Sequence, residues 1–169
     1  MPQSLLILCC LLATLRLSPA DAQPPRAVGR AVLVVVKKTA HVTPASYTGR
    51  QLMVGSGGGF TGFSTTYYLL DNGQLFGRHS RDTTYRFISK QTTANTKRAF
   101  ATVETTCRIK KVRFDKPGNT YKFVRWKRGK QQYNVTWGAT GATGATVPAA
   151  FPKFYSSFME MIPAAARLK

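Results

Sequence analysis

The stretch that decides this fold is VGSGGGFTG, residues 54–62, in which five of the nine residues are glycine. A strand-like run over residues 50–54 leads into it, and a second over residues 63–70 leads out of it. Glycine accepts positive φ angles and close backbone approach, so such a stretch is either a phosphate-binding loop or a tight turn between strands. The sequence that follows decides between these two interpretations.

The bare G-x-G-x-x-G string of dinucleotide-binding loops is satisfied by Gly57, Gly59 and Gly62. That chemistry needs the loop to open a helix, because the helix N-terminus holds the pyrophosphate. Here FSTTYYLL follows instead, and its composition is typical of a strand. No Gly-Lys-Ser or Gly-Lys-Thr ends the stretch, and the His-Arg-Asp and Asp-Phe-Gly motifs that accompany a kinase lid are missing. The sequence therefore predicts a turn that joins two strands, and no nucleotide cofactor.

Turn signals and apolar runs mark the remaining strands. Asn72-Gly73 predicts a type I′ turn, since this dipeptide accepts the positive φ angles that the turn requires. The unbroken apolar run AVLVVV is typical of a strand that is buried on both faces. A second hairpin is predicted around residues 128–130. The predicted strands cover residues 31–36, 50–54, 63–70, 74–79, 83–89, 121–126 and 131–137.

Two segments carry apolar residues at helical spacing. Over residues 92–107 the apolar face includes Phe100, Val103 and Cys107, although the many threonines weaken helix propensity. After Pro148, the aromatic residues from Phe151 onward keep the i, i+3, i+4, i+7 spacing of an amphipathic helix. The order is strands, helix, hairpin, helix. It predicts an α+β fold, with a mostly antiparallel β-sheet and two amphipathic helices packed on one face.

The N-terminus has the pattern of an export signal. Residues 5–15 are almost wholly apolar, and Ala20-Asp21-Ala22 provides a small-residue cleavage site. We predict a signal peptide over residues 1–22, an N-terminal segment with one strand over 23–48, a single α+β domain over 49–163 and a C-terminal tail over 164–169. The protein is then exported, either periplasmic or secreted. The alternative is an uncleaved apolar N-terminus that acts as an anchor.

Catalytic and metal-binding chemistry finds few candidates in the mature sequence. After signal removal Cys107 is the only cysteine, and His41 and His79 are the only histidines. Their wide separation gives no metal-ligand spacing. Cys107 lies late on the predicted helix, where the helix dipole does not favour a thiolate. We therefore predict a protein that is not an enzyme and has no metal or cofactor, with a thiol hydrolase as the remote alternative.

Charge is the strongest compositional signal. The chain has 25 Lys+Arg against 6 Asp+Glu, a formal net charge of +19. Such a field attracts polyanions, including nucleic acid, acidic polysaccharide and anionic lipid headgroups. The alternative is a solubility device or a general trait of the source proteome.

The basic residues are densest over residues 108–130, where Tyr121, Phe123 and Trp126 interleave with them. Charges with aromatic side chains on a sheet can hold a polyanion by backbone contact and stacking. The alternative is a solvated charged face whose aromatic rings turn into the core. The candidate polyanion-binding residues are Lys110, Lys111, Arg113, Lys122, Arg125, Lys127, Arg128 and Lys130.

The predicted function is a small, exported, non-enzymatic binding module that engages polyanionic surfaces through a basic face. Components of the cell envelope are more natural partners than nucleic acid for an exported protein. The alternative is a structural or inhibitor-like protein-binding domain that presents the glycine stretch or the Gly-Ala-Thr repeats of residues 138–146.

Four short motifs point to a family resemblance: GGGFTG at 57–62, YYLLDNGQL at 67–75, KPGNTY at 116–121 and VTWG at 135–138. With these motifs the chain resembles a group of small exported bacterial proteins of uncharacterised function, over about residues 52–162. The motifs consist of turn and strand-edge residues, so the resemblance implies a fold and no catalytic residues. The Gly-Ala-Thr repeats depart from the pattern of the group, which indicates that this loop is not a fixed binding element.

Overall fold

The structure is a computed structural model that describes residues 42–138 and 146–168. The predicted signal peptide, the predicted strand over residues 31–36 and most of the Gly-Ala-Thr repeats lie outside the described residues. All of the described residues belong to one compact unit, Ala40–Lys169.

One seven-stranded sheet dominates the described residues, in the order β4-β3-β2-β1-β6-β7-β5. Every neighbouring pair is antiparallel except β5 and β7, which are parallel. The predicted α+β class is therefore confirmed. The strands are β1 (Arg50–Gly58), β2 (Ser64–Leu70), β3 (Gln74–His79), β4 (Arg86–Lys90), β5 (Phe114–Lys116), β6 (Thr120–Arg128) and β7 (Gln131–Gly138).

The predicted strands within these residues all occur, with some changes at their ends. The β3 strand and the β6–β7 hairpin are confirmed, while β4 begins later than the sequence predicts. The largest change is in β1, which continues through Gly58 because it pairs with β2 on one side and β6 on the other. The three-residue β5 was not predicted, since it carries no pattern of its own and pairs in parallel with β7.

The predicted type I′ turn at Asn72-Gly73 is wrong. Gly73 has a φ of 89°, but Asn72 does not take a positive φ, and a type I′ turn needs both. Instead the Gly73 N–H donates to the Leu70 carbonyl at 2.9 Å, which gives a three-residue loop. The Asn72 side chain accepts from the Gln74 N–H at 3.0 Å, and this local hydrogen bond favours the observed conformation.

The helix predicted over residues 92–107 is present, but its last turn is a π-helix. Helix α1 (Thr93–Ala101) begins after Thr92, whose side chain accepts from the Asn95 N–H at 3.2 Å as an N-cap. The π-helical turn, Thr102–Thr106, then follows directly. Here the Thr102 hydroxyl donates to the Arg98 carbonyl at 2.9 Å and thereby competes with the regular helical hydrogen bonds.

Helix α2 (Ala150–Glu160) follows the predicted aromatic spacing and buries Phe151, Phe154 and Phe158. After it, a short 3-10 helix, Ala164–Ala166, lies in the segment predicted as a tail. The Leu168 N–H donates to the Tyr67 hydroxyl at 2.8 Å, so this segment is held against β2. No helix among the described residues is long and apolar enough to cross a membrane.

Strand alternation produces two apolar clusters, one for each side of the sheet. The main core contains Leu52, Val54 and Trp126 together with the buried side chains of α1 and α2. The second cluster consists of Met53, Tyr68, Leu70, Phe76 and Phe123. We call the side of the sheet that carries this cluster the second face.

A small polar network ties β1 to its surroundings. The Arg50 guanidinium forms ion pairs with Asp71 at 3.4 Å and with Glu104 at 3.5 Å. Glu104 also accepts from the Trp126 indole N–H at 2.8 Å, and Asp71 accepts from the Tyr47 hydroxyl and from the Arg50 N–H. These contacts connect the β2–β3 loop, the π-helical turn and β6 through one arginine.

We expect stability to fall on acidification as Asp71 becomes protonated. Burial alone would raise the pKa of this carboxyl, but hydrogen bonds from Tyr47 and Arg50 outweigh it and hold the pKa below 3.8. A carboxyl with a lowered folded-state pKa contributes stability above its unfolded pKa and loses it as the pH falls through the folded pKa. Tyr47→Phe should lower the free energy of unfolding by about 1 kcal/mol at neutral pH. The variant should also lose less of this free energy on acidification than the unaltered protein.

Urea unfolding at a series of pH values measures this effect. Tyr133→Phe is the matched control, because the described contacts of Tyr133 are aromatic rather than with a carboxylate. If the free energy of unfolding of Tyr47→Phe fell with acidification as steeply as that of the unaltered protein, the stabilisation of the Asp71 carboxylate by Tyr47 would be contradicted.

Candidate functional site

The glycine stretch is half strand and half loop. Its first half extends β1 to Gly58, which corrects the prediction that the whole stretch is a turn. The loop itself uses positive φ angles at Gly58 (92°), Gly59 (76°) and Gly62 (66°). The Gly59 N–H donates to the Asn119 carbonyl at 2.6 Å, and the Gly58 N–H donates to the Phe63 carbonyl at 3.1 Å. Protein carbonyls therefore occupy two of the donors that a phosphate would need, in agreement with the predicted structural role.

Position 55 of β1 must be glycine because Thr65 and Phe123 lie too close to leave room for a side chain. A Cβ atom added there would lie 2.2 Å from the Thr65 carbonyl oxygen and 2.7 Å from Cζ of Phe123. Real Cβ atoms do not approach that closely, so the strand can pair here only because the side chain is missing. The Phe123 ring occupies the space that a side chain would take.

A cleft of about 590 Å³ opens beside the glycine loop. Along its floor, Lys122, Ser56, Thr65 and His79 form a row of direct cross-strand neighbours on β6, β1, β2 and β3. Thr65 Oγ1 and His79 Nδ1 are 3.0 Å apart, within hydrogen-bond distance. The cleft offers donors and hydroxyl groups, which suits an anionic or hydroxyl-bearing ligand.

The rim of this cleft holds one acid and one further cation. Asp82 accepts from the His79 backbone N–H at 3.1 Å, so its carboxylate is already engaged within the loop. The Arg81 guanidinium stacks on the Phe63 ring, 3.3 Å from the ring centroid. Of the predicted binding residues, only Lys122 lines this cleft, because the lining comes from four strands and only their register brings it together.

Strand alternation divides the predicted basic residues of β6 between the two sides of the sheet. Arg125 pairs opposite Met53 and therefore lies on the second face, and Lys127 shares that side. Lys122 and Arg128 alternate with them and lie on the side of Trp126. The Lys122 ammonium is 5.0 Å from the centroid of the Tyr155 ring on α2. The basic run in the sequence is thus not one patch.

The basic residues before β5 lie near aromatic rings. The Lys110 ammonium is 4.4 Å from the Trp126 ring centroid, and the Arg113 guanidinium is 5.6 Å from that of Tyr133. Lys110 and Arg128 also line one polar cavity beside Arg50. Lys111 and Lys130 are exposed, the latter in the β6–β7 turn.

The aromatic rings of β6 turn mostly inward. Trp126 is 1% exposed in the main core, and Phe123 is 8% exposed in the second cluster. Tyr121 is half-buried and lines the cleft beside the glycine loop. The alternative interpretation, in which aromatic residues serve the core, therefore holds for Trp126 and Phe123.

Arg78 is a basic residue that was not among the predicted binding residues, yet it lies near Arg125, which was. Arg78 on β3 lies opposite Thr66, on the same side of the sheet as Arg125. Its guanidinium is 4.8 Å from the Tyr85 ring centroid, and Nη1 donates to the Tyr85 hydroxyl at 3.3 Å. Alternation within QLFGRH could have predicted that Arg78 lies on the same side as Phe76. No local pattern could have predicted that Arg125, which lies across β1, is its neighbour.

The one cysteine that the sequence analysis considered for catalysis is buried. Cys107 is 3% exposed, and its thiol lies 3.6 Å from the Ala150 carbonyl oxygen. Burial raises the pKa of this thiol to about 11, so it stays protonated at neutral pH. His79 directs its ring to Thr65, and His41 lies outside the described residues. Within residues 42–138 and 146–168, no three His, Cys, Asp or Glu side chains group together as metal ligands.

Comparison with known proteins found no match to this chain, either among protein-family models or among curated protein sequences. The function proposed below therefore rests on the geometry and charge of the described residues.

Two glycines of the loop provide a matched test of the geometry. Both Gly58 and Gly62 have positive φ, but an added Cβ would lie 2.1 Å from the Asn119 carbonyl oxygen at Gly58 and would meet nothing within 4 Å at Gly62. We expect Gly62→Ala to cost about 1–2 kcal/mol for the φ angle alone. Gly58→Ala adds a steric cost of about 1–3 kcal/mol.

The free energies of unfolding in urea give the comparison. Equal losses in the two variants would show that the close approach of Asn119 to Gly58 does not exist in solution.

Proposed function

We propose that this protein is an exported, non-enzymatic module that binds polyanionic partners through its basic surface. The observation that carries the proposal is the distribution of ion pairs. Both ion pairs among the described residues belong to Arg50. The other lysines and arginines of this part of the chain keep their charge free of an acidic partner, so their field acts on the surroundings.

The acidic residues strengthen this imbalance, because several of them are used inside the fold. Asp71 and Glu104 accept hydrogen bonds from Tyr47 and Trp126, and both pair with Arg50. Asp82 caps a backbone N–H. Few carboxylates remain to screen a chain with a formal net charge of +19.

We further infer that both helices pack on the same side of the sheet and leave the second face to the partner. The buried apolar side chains of α1 and α2 all belong to the main core, and the second cluster contains no helical residue. Arg78, Arg125 and Lys127 then lie on the side of the sheet that neither α1 nor α2 covers. A linear polyanion lying across these strands would contact all three.

The signal-like residues 1–22 support export, and with it a partner in the cell envelope or outside the cell. Export to the periplasm or the medium agrees with the resemblance to small exported bacterial proteins. The burial and raised pKa of the Cys107 thiol support a binding role over thiol hydrolysis, because a nucleophilic cysteine needs an accessible thiolate.

A second candidate function is favoured by one observation. Phe60 is fully exposed at the tip of the glycine loop, and Phe63 beside it is also exposed. Exposed aromatic residues on a protruding loop are typical of protein-binding sites. A structural or inhibitor-like role would use this tip and would depend little on salt.

Two double variants of β6 test the polyanion proposal with equal charge loss. Arg125→Gln with Lys127→Gln removes two charges from the second face, whereas Lys122→Gln with Arg128→Gln removes two from the opposite side. We expect the first pair to lower the salt concentration that elutes the protein from immobilised heparin. It should also reduce the slope of log K against log salt by about 2.

The second pair should change retention much less, and circular dichroism with urea unfolding checks that both variants fold. Equal losses would show a diffuse charge effect and would contradict binding by the second face. If neither double variant changed heparin retention, the polyanion proposal would be contradicted. A protein partner captured through Phe60, and lost in Phe60→Ser, would then establish the second candidate.

A further inference from the structure

A small polar cavity of about 290 Å³ lies on the second face. Two arginines line it, Arg78 from β3 and Arg125 from β6, along with the side chains of Thr66, Tyr68 and Tyr121. No aspartate or glutamate is among the residues that line it. A pocket with two guanidinium groups and no carboxylate attracts an anion.

The register explains how these arginines reach one cavity. Arg78 pairs with Thr66 on β2, and Arg125 pairs with Met53 on β1. Between these pairs lies Gly55, which has Thr66 on one side and Phe123 on the other. Gly55 has no side chain, and the Phe123 ring lies over it and forms part of the cavity lining.

The Tyr68 side chain lines the same cavity as both arginines. Burial raises the pKa of its phenol, while the positive charges of Arg78 and Arg125 each act to lower it. Two guanidinium groups near one phenol also repel each other. A bound anion between them relieves this repulsion.

Two buried polar atoms, the donor Arg125 Nε and the acceptor Asn134 Oδ1, have no hydrogen-bond partner among the described residues. Asn134 lies opposite Arg125 on β7. A buried polar atom without a partner is costly and rare in native folds. An oxyanion in this cavity gives the Arg125 guanidinium an acceptor.

We propose that Arg78 and Arg125 together hold one sulfate or phosphate ester group of an anionic polysaccharide, with the Tyr68 hydroxyl as a further donor. The planar guanidinium presents paired N–H groups that match the oxygens of such an ester. This inference rests on the proposed function for the polymer, whereas the arginine pair can be tested with the inorganic anion alone.

Isothermal titration of the full chain with sodium sulfate or sodium phosphate, against sodium chloride at equal ionic strength, is the direct test. We expect saturable 1:1 binding of at least one of the two oxyanions. Arg78→Gln and Arg125→Gln should each weaken it at least about tenfold. Arg125→Lys keeps the charge and loses the paired N–H groups, so it should bind more weakly than the unaltered protein.

Arg98→Gln is the matched control, because Arg98 lies on α1, donates to Asn95 Oδ1 outside this cavity and should leave oxyanion affinity unchanged. Absence of saturable binding, or an equal loss in Arg98→Gln, overturns the subsite. If heparin retention persists in that case, the proposed function stands without it. Arginine-dependent sulfate binding without heparin retention supports the subsite and contradicts the proposal that its ligand is part of a polysaccharide. Preference for sulfate over phosphate, or the reverse, identifies which ester the subsite takes.

Discussion

The outer half of β1 can be a central strand only because Gly55 lacks a side chain. At Gly55 the neighbouring strand approaches so closely that a Cβ atom would lie 2.2 Å from the Thr65 carbonyl oxygen. On the other side, the Phe123 ring takes the place of the missing side chain. The rest of the sheet depends on this approach, since β1 carries β2 and β3 on one side and β6 and β7 on the other. The same Phe123 ring lines a small polar cavity on the second face.

The alternation of β6 decides what the positive charge can do. A run that looks continuous in the sequence sends Arg125 and Lys127 to the second face and Lys122 and Arg128 to the other. On the side of the main core, the ammonium groups of Lys110 and Lys122 lie near the aromatic rings of Trp126 on β6 and Tyr155 on α2. On the second face they join Arg78, which is distant in sequence. Local density of basic residues is therefore a poor guide to a surface patch in a sheet protein.

Much of the fold could be predicted because its signals are local. Helix α1 is predicted by apolar spacing, and the β6–β7 hairpin by alternation around a glycine turn. The features that were missed depend on distant partners. Strand β5 has three residues and exists through its parallel pairing with β7. The turn at Asn72-Gly73 is not the type I′ turn that this dipeptide predicts, because the side chains of Asn72 and Asp71 accept hydrogen bonds from nearby backbone N–H groups.

The candidate site was the least predictable part, since it needs the register of four strands at once. The most direct test of the central claim, that the second face binds an anionic polymer, is nuclear magnetic resonance of the ¹⁵N-labelled protein titrated with a heparin oligosaccharide. The account predicts the largest amide shifts at Gly55, Thr66, Arg78 and Arg125, with small changes along α1 and α2. The largest shifts on the helices, with the second face unchanged, would contradict it.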